Sequence, residues 1–170
     1  MGKHKLKTEE LENSPQRTVE EPDAKKLLKS PKELVGDADT WNEKCAFLVP
    51  IAHPLASRSL GKDLYKLIRK ASRTKGSVRK GVREVQKFIR KGEKGIVLLA
   101  GNTRPIDVIA HMPVVCEEAE LPYCFAPSKQ DLGLACGSRR NTCALLIKAN
   151  EEYQDLYDKC MSDVKELPTE

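Results

Sequence analysis

Lys80, Gly81, Arg83, Glu84 and Lys87 fall within nine residues, KGVREVQKF, where a glycine precedes an amphipathic helical pattern. A helix that starts at a glycine offers free backbone N–H groups and the positive end of its dipole, and both suit a phosphate. The glycine can take a backbone geometry closed to other residues and lets another backbone come close. Lys80, Arg83 and Lys87 add mobile positive charge. Glu84 is out of place beside a polyanion if it touches only phosphates. Its carboxylate fits if it accepts hydrogen bonds from the exocyclic amino groups of exposed bases. The alternative, that Glu84 only favours the helix dipole, is equally open from spacing.

The residue patterns of other chemistries are missing. There is no phosphate-binding G-x-x-x-x-G-K-[ST] loop, no dinucleotide fingerprint and no G-x-S-x-G nucleophile turn. His4, His53 and His111 have no H-E-x-x-H partner and no cysteine pair nearby, so no metal site is expected. His111 reads as a structural hydrogen-bonding residue, and Glu117, Glu118 and Glu120 read as the solvated face of a helix. The six cysteines form no C-x-x-C pair and lie in apolar contexts, where a thiol acts as a small buried hydrophobe. The expectation is a protein without catalytic residues, metal, cofactor or small-molecule substrate.

The net charge of +5 conceals an uneven distribution. Residues 57–92 carry 13 basic groups and only Asp63 and Glu84 as acids, while residues 148–170 carry 3 basic groups and 7 acids. A solvated helix face would normally intersperse acids for pairing. Their near absence points to a polyanion partner, a nucleic acid. Aromatic residues make up 5% of the chain and no aromatic pair sits on a strand, so binding through helix ends, loops and phosphates is expected rather than base stacking on a sheet. No run of about 18 apolar residues is present, and the first residues lack the apolar core of a secretory signal. No membrane association is expected, and Gly2 lacks the spacing for N-myristoylation.

The elements that must position these residues follow from periodicity. Residues 1–42, punctuated by Ser-Pro and Glu-Pro, read as a disordered or loosely ordered charged tail, and residues 43–165 as a single domain. CAFLVPIAHPLA reads as an extended lead-in, since its prolines exclude a central strand. Leu60, Leu64, Leu67, Ile68 and Ala71 recur at helical spacing, with Ser57 or Ser59 as cap. A short strand at SVRK leads to the Gly81 helix, which has Val82, Val85 and Ile89 on its apolar side. GIVLLA, PYCFA and TCALLI read as buried strands, separated by helices after Pro113 and Ser128, the latter with Asp131 in a weak capping box. A last helix is capped by Asn150. This alternation predicts an α/β fold, a three-layer α/β/α sandwich with a mixed four-stranded sheet.

Beyond Gly81, the phrases LAGNT, HMPVVCEE, LPYCFAPSK and DLGLACGS occur in order. With G-x-x-E-x-x-K they closely resemble the kink-turn-binding ribosomal and small-ribonucleoprotein family, in its H/ACA branch, over about residues 50–150. The resemblance implies an α/β/α sandwich that binds RNA at the amino end of the helix after Gly81. Gly81, Glu84 and Lys87 keep the family's places, and Arg83 stands where kink-turn binders have asparagine. Arginine only donates hydrogen bonds, which predicts tighter phosphate binding and looser RNA selectivity. The second RNA-facing element implied is the loop ACGSRRNT, where Gly137 and Arg140 match and Arg139 adds charge. Val108 matches an apolar position lining the cleft, with a core role as the alternative. The resemblance implies a non-catalytic core subunit of the H/ACA small nucleolar particle, supporting pseudouridine formation in ribosomal and spliceosomal RNA. Its implied partners are H/ACA guide RNA, which can include telomerase RNA, a separate pseudouridine synthase subunit and a small adaptor subunit. Its implied locations are the nucleus and nucleolus. A kink-turn-binding subunit of the box C/D particle, spliceosome or ribosome is the alternative.

Overall fold

The computed structural model describes residues 30–168. Seven α-helices and four strands are assigned among them: α1 (Pro31–Val35), α2 (Ala38–Cys45), α3 (Arg58–Ala71), β1 (Val78–Lys80), α4 (Val82–Arg90), β2 (Ile96–Ala100), α5 (Met112–Glu118), β3 (Tyr123–Ala126), α6 (Lys129–Ala135), β4 (Ala144–Ile147) and α7 (Gln154–Lys165). Short 3-10 turns at Ile106–Val108 and Glu151–Tyr153 precede α5 and α7. The strand order is β1-β4-β2-β3. β4 runs antiparallel to both β1 and β2, and β2 runs parallel to β3, so the sheet is mixed as expected.

β2 and β4 are buried at every position because both faces of the sheet are covered. Alternate strand residues sort the helices into two layers. Leu98, Leu145 and Ile147 pack with buried residues of α1, α3, α6 and α7. Val97, Leu99 and Leu146 pack with Val85 and Ile89 of α4 and Met112 and Cys116 of α5. α3 begins where the Ser57 hydroxyl accepts from the Leu60 N–H at 3.3 Å, and its apolar stripe buries Leu60, Leu64, Leu67, Ile68 and Ala71. The lead-in before it is irregular and joins the sheet through one isolated bridge, Leu55 beside Phe125.

The tail expected over residues 1–42 ends earlier, since residues 31–45 form α1 and α2; the part before residue 30 lies outside the described residues. Ser30-Pro31 is a helix start rather than loop punctuation. Ser30 and Glu33 close a reciprocal capping box, and Pro31 occupies the first turn, where no N–H is needed. Leu34, Val35 and Trp41 are buried in the core. The Trp41 ring lies against Gly61 of α3, where any Cβ would collide with it. Lys44 donates to the Leu34 carbonyl and to Asp131, both at 2.7 Å, and Arg58 donates to the Gly36 carbonyl at 2.9 Å. The capping box expected at α6 is half formed for the same reason. Ser128 accepts from the Asp131 N–H, but the Asp131 carboxylate is turned to Lys44.

All six cysteines are free, and four are buried. Burial pushes the Cys116 thiol up to about 12 and those of Cys136 and Cys160 to about 11, which keeps them protonated and unreactive at neutral pH. His111 is exposed at the start of α5 and its side chain does not cap the helix, so the structural hydrogen bond expected of it is not seen among the described residues. Glu117, Glu118 and Glu120 lie on an exposed face, with Glu117 accepting from the Tyr123 hydroxyl at 2.8 Å.

Candidate nucleic-acid interface

β1, β2 and β3 point the same way and β4 points back, so one end of the sheet collects the exits of three strands and the entry to the fourth. Ligands of open α/β sheets gather outside the carboxyl ends of the strands. Lys80 and Gly81 leave β1 there. The turn carrying Val108 follows β2, and the Gly137–Asn141 loop leads into β4. The sheet ladder ties them together: the Gly81 N–H donates to the Ala144 carbonyl at 2.8 Å, and the Ala100 N–H to the Cys143 carbonyl at 2.9 Å.

Gly81 has φ 93° and ψ 148°, a conformation essentially reserved for glycine. It turns the chain from β1 into α4, and no side chain caps the helix. Glu84 stands at the third helical position, where a glutamate can reach back to the N-cap amide. Here that amide is already committed to Ala144, which leaves the carboxylate free of a capping role. Arg83, Glu84 and Lys87 are exposed, and no ion pair forms with any of them among the described residues. Lys80 is less mobile than expected, because its ammonium donates to the Cys136 carbonyl at 3.2 Å and bridges the end of β1 to the end of α6.

The second loop is held by backbone geometry. Gly137 has φ 71° and its N–H donates to the Leu134 carbonyl at 3.0 Å. The Ser138 N–H donates to the Gly133 carbonyl at 2.9 Å, and the Ser138 hydroxyl accepts from the Arg140 N–H at 3.1 Å. Arg139 and Arg140 are left exposed. Gly133 is what admits this loop, since a Cβ there would meet the Arg140 carbonyl. Gly133→Ala is therefore expected to lower stability by about 1–3 kcal/mol and to displace Arg139 and Arg140. Thermal melting and RNA titration should register both losses.

Val108 is 39% exposed, which removes the core alternative and leaves its side chain at the surface. The basic stretch 57–92 does not form one surface. α3 packs in one layer and α4 in the other, so the cations of α3 lie across the sheet from those of α4. Within α3, Asp63 accepts from Lys159 and Lys66, both at 2.8 Å, and these bonds hold its carboxyl below the usual range. Arg79 turns away from the strand exits: its guanidinium lies 3.8 Å from the Phe88 ring centre and 3.5 Å from Glu93. Sequence reasoning missed Asn102 and Arg104 after β2 and Lys129 after β3, which belong to the same end of the sheet. Their signal was available, since each follows directly on a buried strand running parallel to the others.

The profile of the Ribosomal protein L7Ae/L30e/S12e/Gadd45 family matches residues 62–157. An H/ACA ribonucleoprotein complex subunit 2-like protein of Xenopus tropicalis is 56% identical over 129 residues, spanning 76% of this chain and 86% of that protein. The H/ACA ribonucleoprotein complex subunit 2 of Drosophila melanogaster is 39% identical over 163 residues and 96% of both chains. Among solved structures, the Giardia lamblia 15.5kD RNA binding protein superposes with a TM-score of 0.65 at 26% identity, over 69% of this chain and 98% of that one. With the fold, the glycine-led helix and the matched span in agreement, the chain belongs to the Ribosomal protein L7Ae/L30e/S12e/Gadd45 family.

Proposed function

We propose that this chain is a non-catalytic RNA-binding core subunit of an H/ACA small nucleolar ribonucleoprotein, acting in the nucleus and nucleolus. The relatives named H/ACA ribonucleoprotein complex subunit 2 support the particle. The observation that carries RNA binding is the shared sheet end, where the uncapped start of α4 stands beside the Gly137–Asn141 loop with Arg83, Arg139 and Arg140 exposed. Lys80, Gly81, Arg83 and Lys87 take phosphates, Glu84 accepts from base amino groups, and Val108, Gly137, Arg139 and Arg140 close the site from the other loops. The subunit positions guide RNA and docks onto a small adaptor subunit, while a separate pseudouridine synthase subunit performs the chemistry. The acidic α7 is a candidate docking surface.

Purification of the particle from cells, followed by sequencing of its RNA, should recover H/ACA guides; recovery of box C/D guides instead would overturn the assignment. The site itself is tested by salt. Each phosphate contact contributes roughly 0.7–0.9 to the slope of log K against log salt, so replacing Lys80, Arg83 and Lys87 together by alanine should reduce that slope by about two to three. A slope that does not move would mean that these side chains do not face RNA.

A further inference from the structure

α3 and the turn after it carry a row of cations that the α4 site does not use. Lys70, Arg73 and Lys75 are exposed and Lys62 is partly exposed, and none of the four forms an ion pair among the described residues. The one acid of α3, Asp63, is already taken by Lys66 and Lys159, both at 2.8 Å. Like charges one turn apart repel, so the row stands uncompensated. The acidic α7 packs beside α3 but does not relieve it. Among the described residues, the ion pair between these two helices is Lys159 with Asp63, which joins a cation of α7 to the acid of α3.

The described chain begins on the same side. α1 packs on α3, Leu34 and Val35 share a core cluster with Leu60 and Leu64, and Arg58 at the start of α3 donates to the Gly36 carbonyl at 2.9 Å. Upstream of Ser30, residues 9–23 hold Glu9, Glu10, Glu12, Glu20, Glu21 and Asp23 against Arg17 alone. Glu20, Glu21 and Asp23 fall within ten residues of Ser30. Ten extended residues reach about 33 Å, and the 14 residues of α3 span about 21 Å, so the acids can reach either end of the row.

We propose that the acidic segment 9–23 lies along the outer face of α3, its carboxylates shared among Lys62, Lys70, Arg73 and Lys75. One exposed ion pair is weak. The tether offsets this by supplying an effective concentration on the order of millimolar, and several pairs form together. The cations of α4 carry the same charge but lie in the opposite layer, whereas α1 brings the chain in against α3. The segment then acts as a built-in polyanion. Two basic faces on opposite sides of the sheet would each attract any nucleic acid, and covering one leaves the α4 side to select. The contact stands independently of the RNA-binding reading, and only this consequence rests on it.

The test couples carboxylates to neighbouring lysines in the full chain with a water-soluble carbodiimide, at low salt and high dilution, and maps the links in the monomer by mass spectrometry. Links from residues 9–23 to Lys62, Lys70 and Lys75 are expected, and they should fall several-fold at 1 M salt, where charges are screened beyond about 3 Å. The double variant Lys70→Glu, Arg73→Glu changes only exposed side chains and should also reduce coupling at Lys62 several-fold. Coupling at Lys62 that is unchanged in that variant would reflect chance encounters of a tethered segment and overturns the proposal. So do links confined to dimers, which would place a second copy on α3, and links made mainly to Lys87, Lys91 and Lys94. A last arm asks whether RNA is the occupant instead. Replacing Lys62, Lys70, Arg73 and Lys75 together by glutamine should leave the salt slope of guide-RNA binding unchanged. A slope reduced by about two or more would make α3 an RNA surface and overturn the proposal.

Discussion

Gly81→Glu is expected to lower RNA affinity by about a hundredfold, equivalent to roughly 2.7 kcal/mol, and to lower stability by a further, separable amount. The stability loss comes from the backbone. At φ 93° and ψ 148° a side chain is strained whatever the space around it, at a cost of about 1–3 kcal/mol. No atom lies within 4 Å of where a Cβ would stand, so the strain brings no steric collision and the domain remains folded at moderate temperature. The affinity loss comes from charge, because the new carboxylate occupies the positive end of α4, where the phosphate is proposed to rest. Gly81→Ala separates the two effects. It carries the same strain without the charge, and should match Gly81→Glu in melting temperature while losing only a few-fold in affinity. If both variants lose affinity equally, the backbone conformation governs binding. If neither does, RNA lies elsewhere.

The contrast between what was legible and what was not follows from the range of the forces involved. β2 and β4 announce themselves because a strand covered on both faces must be apolar at successive positions, a local requirement. The amino end of α4 was equally readable, since Gly81, Arg83 and Glu84 lie within one turn. The bond from Lys80 to Cys136 spans 56 positions and the pair Lys44–Asp131 spans 87, and no spacing rule signals either. Charge counting failed in a different way. It found the basic stretch correctly but could not divide it, because helical period identifies a buried stripe without saying which face of the sheet the stripe covers. Only the alternation of Val97 and Leu98 between two clusters puts α3 and α4 in separate layers. The same limit hid α2. One tryptophan in a charged segment has no periodicity, and its burial depends on a glycine twenty positions away in another helix.

Trp41→Ala therefore tests whether residues 31–45 belong to the folded unit, and the expected loss is about 3–5 kcal/mol, as for a large aromatic removed from a core. A loosely held tail would instead give a change within about 0.5 kcal/mol, as surface substitutions do. Chemical denaturation followed by circular dichroism distinguishes the two without relying on tryptophan fluorescence, which the substitution removes. The contact itself can be isolated by a second change. Gly61 lies in the middle of α3, where alanine would ordinarily stabilise by about 0.5–1 kcal/mol. With Trp41 present, the added methyl would collide with the ring and force it to move, so Gly61→Ala is expected to destabilise by about 1–3 kcal/mol. In the Trp41→Ala background the collision is gone, and the same substitution should become neutral or stabilising. Such a reversal of sign is the signature of two residues that share one packing site in the folded protein. Additive effects would place Trp41 away from α3 and return α2 to the tail.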